Sequence, residues 1–168
     1  MSGHNKWNQI KHKKALTDKK RGQLFSKLSK LISLAARKGI SPETNIELRG
    51  AIDKAREVNM PKNNVQRAIN KASDKLSQFE ELSIEALGPG SIALKIRAIT
   101  DNRNRTIAEI KKILSDNNSK MVPPGSITWM FSQPISITDP DTGKTLGNLF
   151  EILDDHDDVE DVISNLQE

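Results

Sequence analysis

The chain has 168 residues, 35% of them hydrophobic, which suits one domain or two small ones. It contains no Cys, which excludes disulfides, thiol catalysis and Cys-ligated zinc, and it has no apolar run near the roughly 18 residues that span a bilayer and no secretory signal. The net charge of +4 hides an asymmetry: residues 1–75 hold 18 basic and 6 acidic side chains, whereas residues 76–168 hold 8 basic and 16 acidic ones. Eleven Lys or Arg against a single acid fall in the first 38 residues, a balance that repels itself and draws a polyanion.

Residues 1–14 show no hydrophobic period and read as an extended or partly helical arm. From about Thr17 the pattern is helical, with Leu24, Leu28, Leu31 and Ala35 on one stripe and Gly39 as a stop. Ser41-Pro42-Glu43 has the composition of a helix start. Leu48, Ile52 and Ala55 mark the helix that follows, ending near Asn59. Met60-Pro61-Lys62 then restarts a helix with Val65, Ala68, Ile69 and Ala72 buried. Residues 17–73 are therefore expected to form a three-helix bundle.

After Ser77 the period changes. Leu82, Ile84 and Ala86 suggest a short strand, and Gly88-Pro89-Gly90 a turn. Ile92, Leu94, Ile96 and Ala98 alternate along a second strand. A polar loop, Asp101-Asn102-Arg103-Asn104-Arg105, precedes a helix for which Thr106 and Glu109 fit a capping box; its stripe is Ile107, Ile110 and Leu114. Residues 127–131 and 135–138 read as strands, the latter ended by Asp139-Pro140-Asp141-Thr142-Gly143. Leu146, Leu149, Phe150 and Leu153 mark a helix, and residues 159–166 a last strand. The expected class is α+β. A basic three-helix domain over residues 1–78 precedes a ferredoxin-like βαββαβ domain over residues 79–168, with one extra strand near Ile84.

The arm offers Lys6, Lys11, Lys13, Lys14, Lys19, Lys20 and Arg21 for phosphate contact, His12 beside them, and Trp7 to stack on a base. The alternative is a solvated charged face, with Trp7 packed as an anchor. Lys54, Arg56 and Lys62 extend the positive surface or are ordinary exposed residues. His4 and His12 lack thiol or carboxylate partners, so no metal is assigned. Asp101, Arg103, Arg105 and Glu109 could be imagined as a hydrolase cluster, but a charged loop capping the next helix explains them. Arg103 and Arg105 stand as a partner or RNA contact. The run Asp154-Asp155-His156-Asp157-Asp158 reads as a solvated turn. No P-loop, dinucleotide-binding, nucleophile-elbow or zinc-protease signature occurs, so neither catalysis nor a cofactor is expected.

Five blocks carry a resemblance to a family. They are Gly3-His4-Asn5-Lys6-Trp7-Asn8-Gln9-Ile10-Lys11-His12-Lys13-Lys14-Ala15 with Lys20-Arg21-Gly22; Ala51-Ile52-Asp53-Lys54-Ala55-Arg56 with Asn59-Met60-Pro61-Lys62-Asn63; Gly88-Pro89-Gly90; Thr100-Asp101-Asn102-Arg103-Asn104-Arg105-Thr106; and Gly125-Ser126-Ile127-Thr128-Trp129-Met130-Phe131. In this order they resemble the YebC/PmpR family, and Asp157-Asp158-Val159-Glu160-Asp161-Val162-Ile163-Ser164-Asn165 is similar to its C-terminus. The resemblance implies a cytoplasmic, DNA-binding transcriptional regulator, or a ribosome-associated translational activator that meets ribosomal RNA. The usual family member has a third domain inserted into the second; this chain departs from that, running from Phe131 to the closing helix through a short Ile135–Gly143 segment, so the inserted domain is expected to be absent. Because the match begins at Gly3, no transit peptide is expected.

Overall fold

A computed structural model describes residues 17–74 and 78–167, which build two compact units. One is helical, runs to Glu80 and takes in Ile99–Asp101; the other contains Glu81–Ala98 and the residues from Asn102 onward.

The helical unit contains α1 (Asp18–Ala36), α2 (Ile46–Glu57) and α3 (Lys62–Lys71). Thr17 caps α1 by accepting from the Lys20 N–H, and α1 packs against both other helices through Leu28, Ile32, Ala35 and Ala36. Small residues permit a close approach: the Ser33 hydroxyl donates to the Ala68 carbonyl at 2.7 Å. The expected helix start at Ser41-Pro42-Glu43 is not used. Residues 41–44 form a turn, and α2 begins at Ile46 on Asn45. Asn45 wins because its amide serves two helices. Its oxygen accepts from Leu48 N–H, while its nitrogen donates to the Ala35 and Gly39 carbonyls at 2.8 and 2.7 Å, closing the end of α1. α2 ends with Asn59 in a left-handed conformation (φ 57°), and the Met60 N–H donates back to Ala55 as Met60 turns inward.

From Glu80 onward the chain forms β1 (Glu80–Leu87), β2 (Ala93–Thr100), α4 (Arg103–Asp116), β3 (Lys120–Val122), α5 (Pro140–Asp155) and β4 (Val159–Ser164), which make up the α/β unit but for Glu80, Ile99 and Thr100. The strands form one antiparallel sheet in the order β3-β1-β2-β4, with Glu85 opposite Val122 and Leu94 opposite Ser164. The alternating residues Leu82, Ile84, Ala86, Leu94, Ile96 and Ala98 meet Ile110 and Leu114 of α4 and Leu146, Leu149, Phe150 and Leu153 of α5. Gly90, in the β1–β2 turn, has φ 71°, and a Cβ there would lie 2.5 Å from Ile137.

The α+β class and the three helices hold; the ferredoxin-like βαββαβ order does not. The chain runs ββαβαβ. The strand that the sequence makes an extra lies inside the sheet as β1, between β3 and β2. Residues 127–131 are not a strand: Thr128–Ser132 form a 3-10 turn, and Ile127 alone is buried. The 135–138 segment contributes a single parallel bridge from Ile135 to Leu166. The real third strand, Lys120–Val122, comes earlier, and β4 stops at Ser164 rather than 166. The expected capping box at Thr106 is displaced too. α4 starts at Arg103 on Asn102, whose side chain accepts from Arg105 N–H, and Thr106 is buried.

Asp139, expected to end a strand, opens α5 instead, with Pro140 at the first helical position. The Thr142 hydroxyl and backbone N–H, at 2.6 and 2.9 Å, hold its carboxyl below the ordinary 3.8. A depressed acid contributes stability above its unfolded value and loses it as pH falls through the folded one. The stability difference between wild type and Asp139→Ala is therefore expected to be full at neutral pH and to shrink below about pH 4, as urea unfolding across the acid range would show. A difference independent of pH would contradict the cap.

Candidate nucleic-acid interface

Lys6, Trp7, Lys11, His12, Lys13 and Lys14 lie outside the described residues. The remaining basic candidates of the helical unit are all exposed. Lys19, Lys20 and Arg21 share the first turn of α1. Among the described residues Arg21 makes a loose 3.7 Å pair with exposed Asp18, which holds its guanidinium weakly. Lys54 and Arg56 stand on α2 away from the buried Leu48, Ala51, Ile52 and Ala55. Two positions apart, they point about 200° from one another around the axis, so α2 does not bring them together. Arg56 also meets Asp53 at 3.3 Å.

Lys62 is the first residue of α3, where a further feature appears that the sequence reading missed. Pro61 occupies the capping position with no side-chain cap, and the first turn holds no acid. The Asn64 N–H is taken up by the Pro61 carbonyl at 2.9 Å, and the positive end of the helix dipole together with the Lys62 charge in the same turn favours anions. The signal was present in the sequence as Pro61 standing where Ser, Thr or Asp usually caps.

In the α/β unit Arg103 is exposed, while Arg105 is engaged by carboxylates. Its guanidinium donates to Glu109 at 3.1 Å and to Asp158 at 2.9 Å, and the Thr106 hydroxyl donates to the same Asp158 oxygen at 2.7 Å. Asp158 is 4% exposed, which corrects the reading of 154–158 as a uniformly solvated turn. One acid of that run is a buried anchor tying the α5–β4 turn to α4.

Glu109, His156 and Asp158 bring ligand atoms within 4.8 Å of one another. The imidazole is set against a metal. Its Nδ1 accepts from the Asp158 N–H at 3.1 Å, so the neutral ring carries its proton on Nε2 and donates to Glu109 at 2.9 Å. A metal-bound histidine has the reverse arrangement, with the second nitrogen donating. Arg105 already supplies the cation that the carboxylates require.

A second feature missed from sequence is the Trp129 platform. Asn165, 4% exposed, accepts from Ala93 N–H at 2.8 Å and donates to the Met130 and Gln133 carbonyls at 3.2 and 3.0 Å. This holds the 3-10 turn against the sheet while Trp129 remains 60% exposed.

A helical basic domain followed by this sheet corresponds to two family models. The TACO1/YebC protein N-terminal domain matches residues 5–75, and the TACO1/YebC second and third domain matches residues 79–138. Together they span most of the chain, which belongs to the TACO1/YebC family. Among its relatives, a "Probable transcriptional regulatory protein" of Natranaerobius thermophilus is 49% identical over 141 residues, 82% of this chain and 56% of the relative. A protein of the same description from Chlorobium phaeovibrioides is 47% identical over 156 residues, 91% of this chain and 62% of the relative. The chain thus spans little more than half the length of the curated relatives it matches. A solved structure, a conserved hypothetical protein from Aquifex aeolicus, superposes with TM-score 0.86 at 28% identity, covering 97% of each chain. No helix among the described residues is long and apolar enough to cross a membrane.

Proposed function

We propose that the chain is a non-enzymatic, cytoplasmic regulator of gene expression that binds duplex DNA through its basic arm and helical unit. Residues 1–78 make the contacts, and residues 79–168 form an acidic body that orients them. The observation that carries this reading is the separation of charge: a net of about +12 over residues 1–75 against about −8 over the rest. In the described helices the candidate lysines and arginines face solvent while the apolar stripes face inward. The shared description of the relatives supports the regulatory role. The non-enzymatic reading is supported by the carboxylates and imidazole nearest to a catalytic cluster, which are occupied with one another and with Arg105.

Salt dependence tests the proposal. A log–log slope of affinity on salt of about −3 to −6 is expected for duplex DNA, equivalent to roughly four to seven phosphate contacts. A flat response would remove the electrostatic basis. Phosphate contacts alone do not distinguish DNA from RNA, so co-sedimentation with ribosomes at matched salt completes the test. Ribosome binding with no retention on DNA would replace the transcriptional role by a translational one.

A further inference from the structure

Val58-Asn59-Met60-Pro61 connects α2, which ends at Glu57, to α3, which starts at Lys62. Asn59 makes the bend in a left-handed conformation (φ 57°), Met60 is buried beneath it, and α1 packs against both helices. Two helices joined by so short a turn are the frame of a helix-turn-helix, whose second helix enters the DNA major groove. The outer face of α3 suits that place. α3 buries Ala68 and Ile69 and exposes Lys62, Asn63, Gln66, Arg67, Asn70 and Lys71. Those six fall within about half of the helix circumference. α3 contains no acid, whereas α1, α2, α4 and α5 all do. Among the described residues Lys62, Arg67 and Lys71 have no ion-pair partner.

At about 100° per residue, Gln66, Asn70 and Asn63 run down the middle of this face, with Lys62 on one margin and Arg67 and Lys71 on the other. A DNA groove is arranged in the same way, with base edges on its floor and phosphates along its two rims. An ordinary solvated face mixes acids with bases, as α2 does with Glu47, Asp53 and Glu57. The central amides are also ordered. The Gln66 side-chain nitrogen donates to Asn70 Oδ1 at 3.0 Å, so each long side chain has lost freedom before any ligand arrives. That bond leaves Gln66 Oε1 as an acceptor and Asn70 Nδ2 as a donor. Adenine offers the complement in the major groove, an N6 donor beside an N7 acceptor. We infer that α3 is a reading helix: its central amides select bases, adenine at the Gln66–Asn70 pair, while Lys62, Arg67 and Lys71 hold the phosphates of the rims. The inference rests on the proposed binding of duplex DNA and adds sequence selection to it.

Selection of duplexes from a randomised pool by the full chain tests it. Wild type should enrich a short site containing adenine. Gln66→Ala and Asn70→Ala should each lose about five- to a hundredfold on the enriched site, and less than about threefold on a random duplex, where phosphate contacts dominate. Both side chains are exposed and alanine favours a helix, so the fold is kept. Arg67→Ala should weaken both duplexes alike and lower the salt slope by about one. A wild type that binds every duplex equally, with steep salt dependence, would overturn the reading helix and leave the proposed function standing; one that binds no duplex would overturn both. Equal losses on enriched and random duplexes for Gln66→Ala would make α3 a backbone contact and overturn base selection. So would the same amide-dependent preference for an RNA duplex, whose deep, narrow major groove does not admit side chains to its bases.

Discussion

Reversing Lys19, Lys20 and Arg21 together to Glu is expected to weaken duplex DNA binding on the order of a hundredfold at low salt, and to reduce the salt slope by about three. The effect is large because three adjacent contacts change sign at once, placing negative charge against phosphate. The fold should survive for a specific reason. These side chains occupy the first turn of α1, are exposed, and precede the buried stripe that begins near Leu24. Acidic residues at a helix N-terminus interact favourably with the dipole, so the substitutions remove binding without weakening the helix. Unchanged affinity with an unchanged slope, measured by anisotropy from about 50 to 200 mM salt, would mean that this turn does not meet the polyanion.

Asn165→Ala is expected to destabilise the α/β unit by about 2–4 kcal/mol. The side chain is buried and engages three backbone groups: the Ala93 N–H and the carbonyls of Met130 and Gln133. Alanine leaves all three without that partner where water has little access, and the penalty for unmade bonds exceeds the modest value of the bonds themselves. Asn165→Asp separates the contributions. It keeps the acceptor for Ala93 and loses the donor to the carbonyls, so it too should destabilise, and most strongly where the carboxylate is charged. Urea unfolding would measure both. A change below about 0.5 kcal/mol for alanine would show that the Trp129 turn is held by other means.

Local periodicity made the helical unit legible. Of the stripe Leu24, Leu28, Leu31 and Ala35, Leu28 and Ala35 are buried and Leu24 and Leu31 pack half-buried against the same core, and Ile92, Leu94, Ile96 and Ala98 alternate and are all fully buried. What was not legible depends on partners distant in sequence. β3 is three residues long and exists because β1 pairs with it, a relation that no window around Lys120 contains. Residues 127–131 have the composition of a strand, yet their conformation is fixed by an asparagine more than thirty residues away. Asp158 looks like its neighbours in an acidic run; its burial follows from Arg105 and Thr106, over fifty residues earlier. The same distance explains the candidate site. Exposed lysines and arginines could be read from their place opposite an apolar stripe, whereas the engagement of Arg105 could not.

Asn45 joins the last turn of α1 to the first turn of α2 through one amide group. Neither helix end can fray there alone, because opening one strips the cap from the other. The backbone amides on both sides of the junction therefore share a single opening event and should exchange their hydrogens with solvent at a common free energy. The first two helices behave at this joint as one cooperative piece, and the basic turn at the start of α1 is carried on a support stiffened from its far end.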